Sequence, residues 1–195
     1  MSYDKEFYQM YQAYLREKVV RANHNKIFEC FRRLIQPMEL LVVDLGCGLG
    51  EYSLHGSYTK YVGIDVNDTG QVKSYVQTDY HNPNFATLLP FVPTAFVSLF
   101  SIECCHSVDD KYALYEQIFT NIPSIRYGLV VGFFYESKRD LETVGEAGGI
   151  VSYQTNEDPS LYISNTFSEF RIHMRTPSKM FGDDVIEVWK FLSRC

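Results

Sequence analysis

Leu40-Leu41-Val42-Val43-Asp44-Leu45-Gly46-Cys47-Gly48-Leu49-Gly50 is an apolar run rich in branched residues that closes on an acid and three alternating glycines. Unbroken, too short for a helix and bounded by glycine, such a run reads as a central parallel strand covered on both faces. Gly46, Gly48 and Gly50 then form a tight turn through conformations closed to other residues, and they let a ligand come close to the backbone. Asp44 falls at the carboxyl end of the strand. A carboxylate there repels a pyrophosphate, and Glu51 stands where the dinucleotide fingerprint needs a third small residue. The turn is therefore a poor phosphate cradle, and it suits a ligand whose near end carries an ammonium or a bound water.

Two further strand-like segments follow, each ending in an acid. Tyr61-Val62-Gly63-Ile64-Asp65 places Asp65 15 residues after Gly50, close to the roughly 20-residue interval of the ribose acid in dinucleotide sites. Ser74-Tyr75-Val76-Gln77-Thr78-Asp79-Tyr80 brings Asp79 to the end of a third. In this order and spacing the pattern resembles the class I S-adenosylmethionine-dependent methyltransferases, whose first motif is a strand ending in Asp or Glu followed by Gly-x-Gly-x-Gly. The resemblance implies an α/β fold: a Rossmann-like, doubly wound, mostly parallel seven-stranded sheet with an antiparallel C-terminal strand and N-terminal helices. It implies S-adenosyl-L-methionine as cofactor and methyl transfer as activity. On this reading Asp44, Gly46, Cys47, Gly48 and Gly50 wrap the methionine portion. Asp65, with Val66 beside it, takes the ribose hydroxyls, and Asp79, with Tyr80 beside it, takes the adenine amino group. Only thirteen residues separate Asp65 from Asp79, where the family has a full helix, so a shortened or missing crossover helix is expected.

Composition narrows the class. A chain of 195 residues suits one domain with a sizeable core, read here as a single methyltransferase-like unit with residues 1–36 as a helical cap and 37–195 as the Rossmann-like core. No apolar run approaches the roughly 20 residues needed to cross a bilayer, and Met1-Ser2-Tyr3-Asp4-Lys5-Glu6 lacks the basic start and apolar middle of a secretory signal. A cytoplasmic location without a membrane partner is expected. The formal net charge of −6 works against a nucleic-acid partner, because phosphate binding leans on clustered Lys and Arg. Cys30, Cys47, Cys104, Cys105 and Cys195 are odd in number and lack metal-ligand spacing, so reduced thiols and no metal site are expected.

Along the chain, Tyr3, Phe7, Met10, Tyr11 and Tyr14 recur at helical spacing and predict an amphipathic helix to about Val20. Ile27, Phe28, Phe31, Leu34 and Ile35 mark a second from about Asn23 to Gln36, ended by Pro37. In the family such helices pack on the sheet or close over the cofactor, which would bring Tyr8, Tyr11 and Arg16 within reach of the cofactor carboxylate or the acceptor; ordinary aromatic packing is the alternative. Glu51 to about His55 leaves room only for a short helix, and a short helix is also expected around Phe85 to Leu89. Ala95 to Ile102 reads as the fourth strand. Asp109 to Asn121 reads as a helix, Tyr127 to Tyr135 as the fifth strand, and Ser137 to about Glu146 as a helix closed by Gly148-Gly149. Ser152 to Thr166 is a largely polar loop. Phe170 to Met174 and Val185 to Phe191 alternate as half-buried strands that would complete the sheet.

Ligands of open parallel sheets bind beyond the carboxyl ends of the strands, so Ser101, Glu103 and His106 should lie near the reacting group. Glu103-Cys104-Cys105-His106 resembles the acid-then-His pattern that many small-molecule methyltransferases carry here. His106 is the candidate general base, with Glu103 orienting it, and His81 and Tyr80 are second choices. The Asp/Asn-Pro-Pro-aromatic motif of enzymes that methylate nucleic-acid bases is absent; Ser101-Ile102-Glu103-Cys104 stands in its place. Charge and motif together favour a small-molecule methyl acceptor. Two other readings stay open: a non-catalytic cofactor-binding or partner-binding module on the same fold, and a nicotinamide-dependent oxidoreductase, against which Glu51 and the lack of a substrate domain argue.

Overall fold

The apolar runs become strands. The computed structural model describes residues 5–35, 39–50, 58–67, 70, 72–99, 101–102, 108–135, 162–177 and 184–195. Helices α1 (Lys5–Arg16) and α2 (Lys18–Ile35) precede β1 (Leu41–Leu45), β2 (Lys60–Asp65) and β3 (Tyr75–Gln77). A 3-10 helix (Pro83–Leu88), β4 (Ala95–Leu99), α3 (Val108–Asn121) and β5 (Tyr127–Tyr135) follow, and β6 (Tyr162–Ile163), β7 (Phe167–Pro177) and β8 (Asp184–Arg194) close the sheet. Its order is β3-β2-β1-β4-β5-β8-β7-β6. The first five run parallel. β8 runs antiparallel to both β5 and β7.

Both faces of the central strands are covered, which is why β1 reads as an unbroken apolar run. Val43, Leu45, Val62, Ile64, Phe96 and Val130 pack with Leu114, Tyr115, Ile118 and Phe119 of α3 on one side. Val42, Val97, Leu129, Val131, Trp189 and Phe191 pack with Ile27, Phe28, Phe31 and Ile35 of α2 on the other. The 3.6-residue stripe of α2 is thereby spent on the sheet. No helix among the described residues is long and apolar enough to cross a membrane.

Several boundaries differ from the sequence reading: the last two long strands run over Phe167–Pro177 and Asp184–Arg194 rather than Phe170 to Met174 and Val185 to Phe191, and β3 stops at Gln77. The sheet has eight strands rather than seven, because Tyr162 and Ile163 pair antiparallel with Glu169 and Ser168. Two residues are too few to leave a period-2 signal in a polar stretch; what places them is Tyr162 stacking on Tyr112 of α3 at 4.5 Å. The first helix stops at Arg16 and the second starts at Lys18, since the Glu17 N–H donates to the Tyr14 carbonyl and tightens the chain there. The fourth strand ends at Leu99, and Ser101 and Ile102 are already helical. Among the described residues between β2 and β3 none is helical, in line with the short spacing from Asp65 to Asp79. The short helix expected after Glu51 and the one expected from Ser137 lie outside the described residues, as does most of the loop expected from Ser152.

Candidate functional site

β1 and its turn set the geometry. Gly46, Gly48 and Gly50 adopt φ of +67°, +50° and +72°, values that L side chains rarely take. The turn is pinned to β2: the N–H groups of Gly46 and Cys47 both donate to the Ile64 carbonyl, at 2.8 and 2.9 Å. Gly48 N–H donates to Asp65 Oδ2 at 2.9 Å, and Asn67 N–H donates to Asp65 Oδ1 at 3.0 Å. Asp65 is thus a buried carboxylate with one backbone donor on each oxygen and lone pairs left on both. Val66, next to it, is half exposed, and its carbonyl accepts from Gln77 Nε2.

Asp44 is 1% exposed. Strand alternation puts it on the α2 side of the sheet with Val42. Its pair across β2 is Gly63, and Tyr61, two residues earlier on the same face, donates its hydroxyl to Asp44 Oδ2 at 2.5 Å. Oδ1 has no hydrogen-bond partner among the described residues. Burial, with a smaller push from Asp65 and against the Tyr61 hydrogen bond, raises the Asp44 carboxyl to about 7. Burial and the same two acids push the Cys47 thiol up as well, so it is a neutral side chain packed behind the turn, where a Cβ on Gly63 would stand 2.6 Å from its Sγ.

The other wall comes from β4 and the segment after β3. A Cβ on Gly46 would fall on the Ser101 hydroxyl, and that hydroxyl is hydrogen-bonded to the Tyr80 phenol. Tyr80 is buried and stacks on His81, ring centroids 4.6 Å apart. Gly46, Tyr80 and Ser101 therefore form one cluster beyond the ends of β1 and β4. Asp79 stands apart from it. Its exposed carboxylate accepts from His81 N–H at 2.9 Å and pairs with His81 Nδ1 at 2.7 Å, a local turn bond that occupies Oδ1.

Of the sequence-derived candidates, the structure brings Asp44, Gly46, Cys47, Gly48, Gly50, Asp65, Tyr80 and Ser101 together around the turn, with Val66 at its rim. His106 and Glu103 lie outside the described residues, as do Cys104, Cys105 and the side chains of Tyr8 and Tyr11; Arg16 is exposed at the end of α1. Tyr61 was missed as a site residue. The signal for it was the alignment of strand ends: setting Asp44 beside Gly63 puts Tyr61 on the same face.

No protein-family model matches the sequence, and no curated protein sequence does. Solved structures do match. The magnesium protoporphyrin IX methyltransferase ChlM from Synechocystis PCC 6803 with bound S-adenosylhomocysteine is 13% identical, with a TM-score of 0.54 over 97% of this chain and 95% of that one. The same protein with bound S-adenosylmethionine is 12% identical, with a TM-score of 0.51 over 96% and 92%. The N-methyltransferase NodS from Bradyrhizobium japonicum WM9, in complex with S-adenosylhomocysteine, is 13% identical over 97% and 99%, with a TM-score of 0.49. By the two ChlM matches the chain has the Rossmann-like fold of the S-adenosylmethionine-dependent methyltransferases, as its glycine turn and strand-end acids led us to expect.

Proposed function

We propose that this protein binds S-adenosylmethionine over the glycine turn and transfers its methyl group to a small-molecule acceptor. The observation that carries the reading is the pairing of two buried acids at adjacent strand ends: Asp44 with an oxygen left unpartnered among the described residues, and Asp65 held by two backbone amides. The residues fit the cofactor. Asp44 Oδ1 would accept from an ammonium group, the remaining lone pairs of Asp65 would accept from ribose hydroxyls, and the glycines leave the turn open to close approach. The two ChlM structures, with this fold, contain S-adenosylmethionine and S-adenosylhomocysteine.

S-adenosylmethionine supplies a methyl already activated on a sulfonium, so the work left to the chain is alignment and, for a hydroxyl or protonated amine acceptor, removal of a proton. Asp44, Asp65 and the turn fix the donor end. Ser101, held by Tyr80, sets the floor beyond β4. His106 takes the acceptor proton, with Glu103 orienting its ring, and a base whose unperturbed pKa is about 6.5 suits that step. Asp79 keeps a place at the adenine end, beside its pair with His81. Residues 1–195 act as one unit, with residues 1–36 as its helical cap.

Calorimetric titration with S-adenosylhomocysteine tests the cofactor, on the wild type and on Asp65→Ala. Micromolar binding that weakens by one to several powers of ten in the variant supports the reading, since hydrogen bonds to a charged acceptor contribute roughly 1.5–3 kcal/mol each. Turnover against small hydroxyl, amine and thiol acceptors then separates an enzyme from a binding module. Absence of binding, with NAD(P)H tried in parallel, would sink the proposal.

A further inference from the structure

The turn holds a carboxylate under unusual constraint. Asp44 is buried, one of its oxygens is taken by the Tyr61 hydroxyl, and the other is unpartnered among the described residues. Among the described residues the titratable groups around it are few. Tyr61 and Asp65 belong to β2, Tyr58 precedes it, and Cys47 lies in the turn; the neighbour across β4 is the apolar Val97. None of these described residues supplies a cation for the ionised carboxylate, and a cationic ligand end would offset the cost of burying that charge.

We propose that Tyr61 is a positioning residue of this site: by occupying Oδ2 it leaves Oδ1 of Asp44 as the single acceptor for the ligand's ammonium group, so that the charge on Asp44, and the preference for a cationic ligand end, is set through Tyr61. This rests on the cofactor reading above and adds a coupling to it. A proton leaves Asp44 as the ammonium arrives, and the Tyr61 hydrogen bond, which favours the ionised acid, fixes the pH at which that exchange costs nothing.

The test compares S-adenosylhomocysteine with 5′-methylthioadenosine, which lacks the amino-acid end, by calorimetric titration between about pH 5.5 and 8.5. In the wild type the affinity for S-adenosylhomocysteine should rise about tenfold per pH unit up to about 7 and then level, while that for methylthioadenosine stays flat. In Tyr61→Phe the break should move up by about one pH unit, with methylthioadenosine unaffected. In Asp44→Asn the S-adenosylhomocysteine profile should be flat and weaker at the upper end. A flat profile in the wild type, an unmoved break in Tyr61→Phe, a sloping profile that survives Asp44→Asn, or an equal loss of both ligands in Tyr61→Phe overturns the assignment while leaving the cofactor reading intact. Failure of both ligands to bind the wild type removes the cofactor reading itself.

Discussion

Glu187 on β8 and His24 on α2 meet through a bond of 2.7 Å between two fully buried side chains 163 residues apart in the chain. The same carboxylate accepts from Tyr14 of α1 and from the Trp189 indole, each at 2.8 Å. Three donors on two oxygens make Glu187 the point at which both N-terminal helices are fastened to the sheet, and the change of direction at Glu17 lets Tyr14 and His24 reach one acid. Removing the acid takes this acceptor from all three donors at once, so Glu187→Ala should destabilise by about 3–5 kcal/mol. Tyr14→Phe leaves the acid with two partners and should cost only about 1 kcal/mol. Urea melts of the two variants give the ratio; equal effects would mean that the acid is not the hub.

A second expectation follows from Gly63 and Cys47. A Cβ on Gly63 would meet Cys47 Sγ at 2.6 Å, with Cys47 Cβ at 3.0 Å and Val72 Cγ1 at 3.1 Å behind it. Gly63→Ala should therefore cost about 1–3 kcal/mol by overpacking. In a Cys47→Ala background the sulfur is gone and only the softer contacts remain, so the penalty should fall below about 1 kcal/mol. A four-corner denaturation cycle measures that coupling, and additive effects would show that the two residues do not press on each other.

Asp44 ties stability to pH in the direction opposite to a salt-bridged acid. Its carboxyl titrates near the ordinary 3.8 when unfolded and at about 7 when folded. Between those values the folded chain holds a proton that the unfolded chain has lost, so the unfolded state binds fewer protons and stability falls as pH rises. The loss begins above about 4, is complete above about 7, and amounts to a few kcal/mol at most. Asp44→Asn should thus be more stable than the wild type at about pH 8 and equal to it at about pH 4, while binding S-adenosylhomocysteine more weakly. A variant less stable than the wild type at the higher pH would contradict the burial argument.

The central strands were legible because their physics is local. β5 runs from Tyr127 to Tyr135 as its apolar run does, and β1 and β2 start within one residue of the expected positions. The three glycines announced positive φ, and Asp44 and Asp65 could be placed from their positions at strand ends. What the sequence hid depends on contacts between distant segments. Glu187 reads as the polar member of an alternating strand, yet α1 and α2 cover that face and bury it. Tyr61 reads as the start of a strand, and its role appears only when β1 and β2 are set side by side in register. Asp79 falls two residues beyond β3, which stops at Gln77, and the neighbouring His81 claims one of its oxygens, a local competition that spacing alone does not reveal.

The cluster of Tyr80, Ser101 and Gly46 supplies the last expectation. Ser101 follows β4 at the start of the next helical segment and presses its hydroxyl into the space that Gly46 leaves by lacking a Cβ, and the Tyr80 phenol holds it there. If that hydroxyl fixes the turn in its ligand-ready form, Tyr80→Phe and Ser101→Ala remove the same hydrogen bond from opposite ends. Each should weaken S-adenosylhomocysteine binding by about three- to tenfold, the equivalent of about 1 kcal/mol. The double variant should be no weaker than either single one, because a shared bond can be lost only once. Multiplying effects would instead mean that the two side chains touch the ligand separately, and Ser101 would then be a direct ligand contact rather than a brace for the turn.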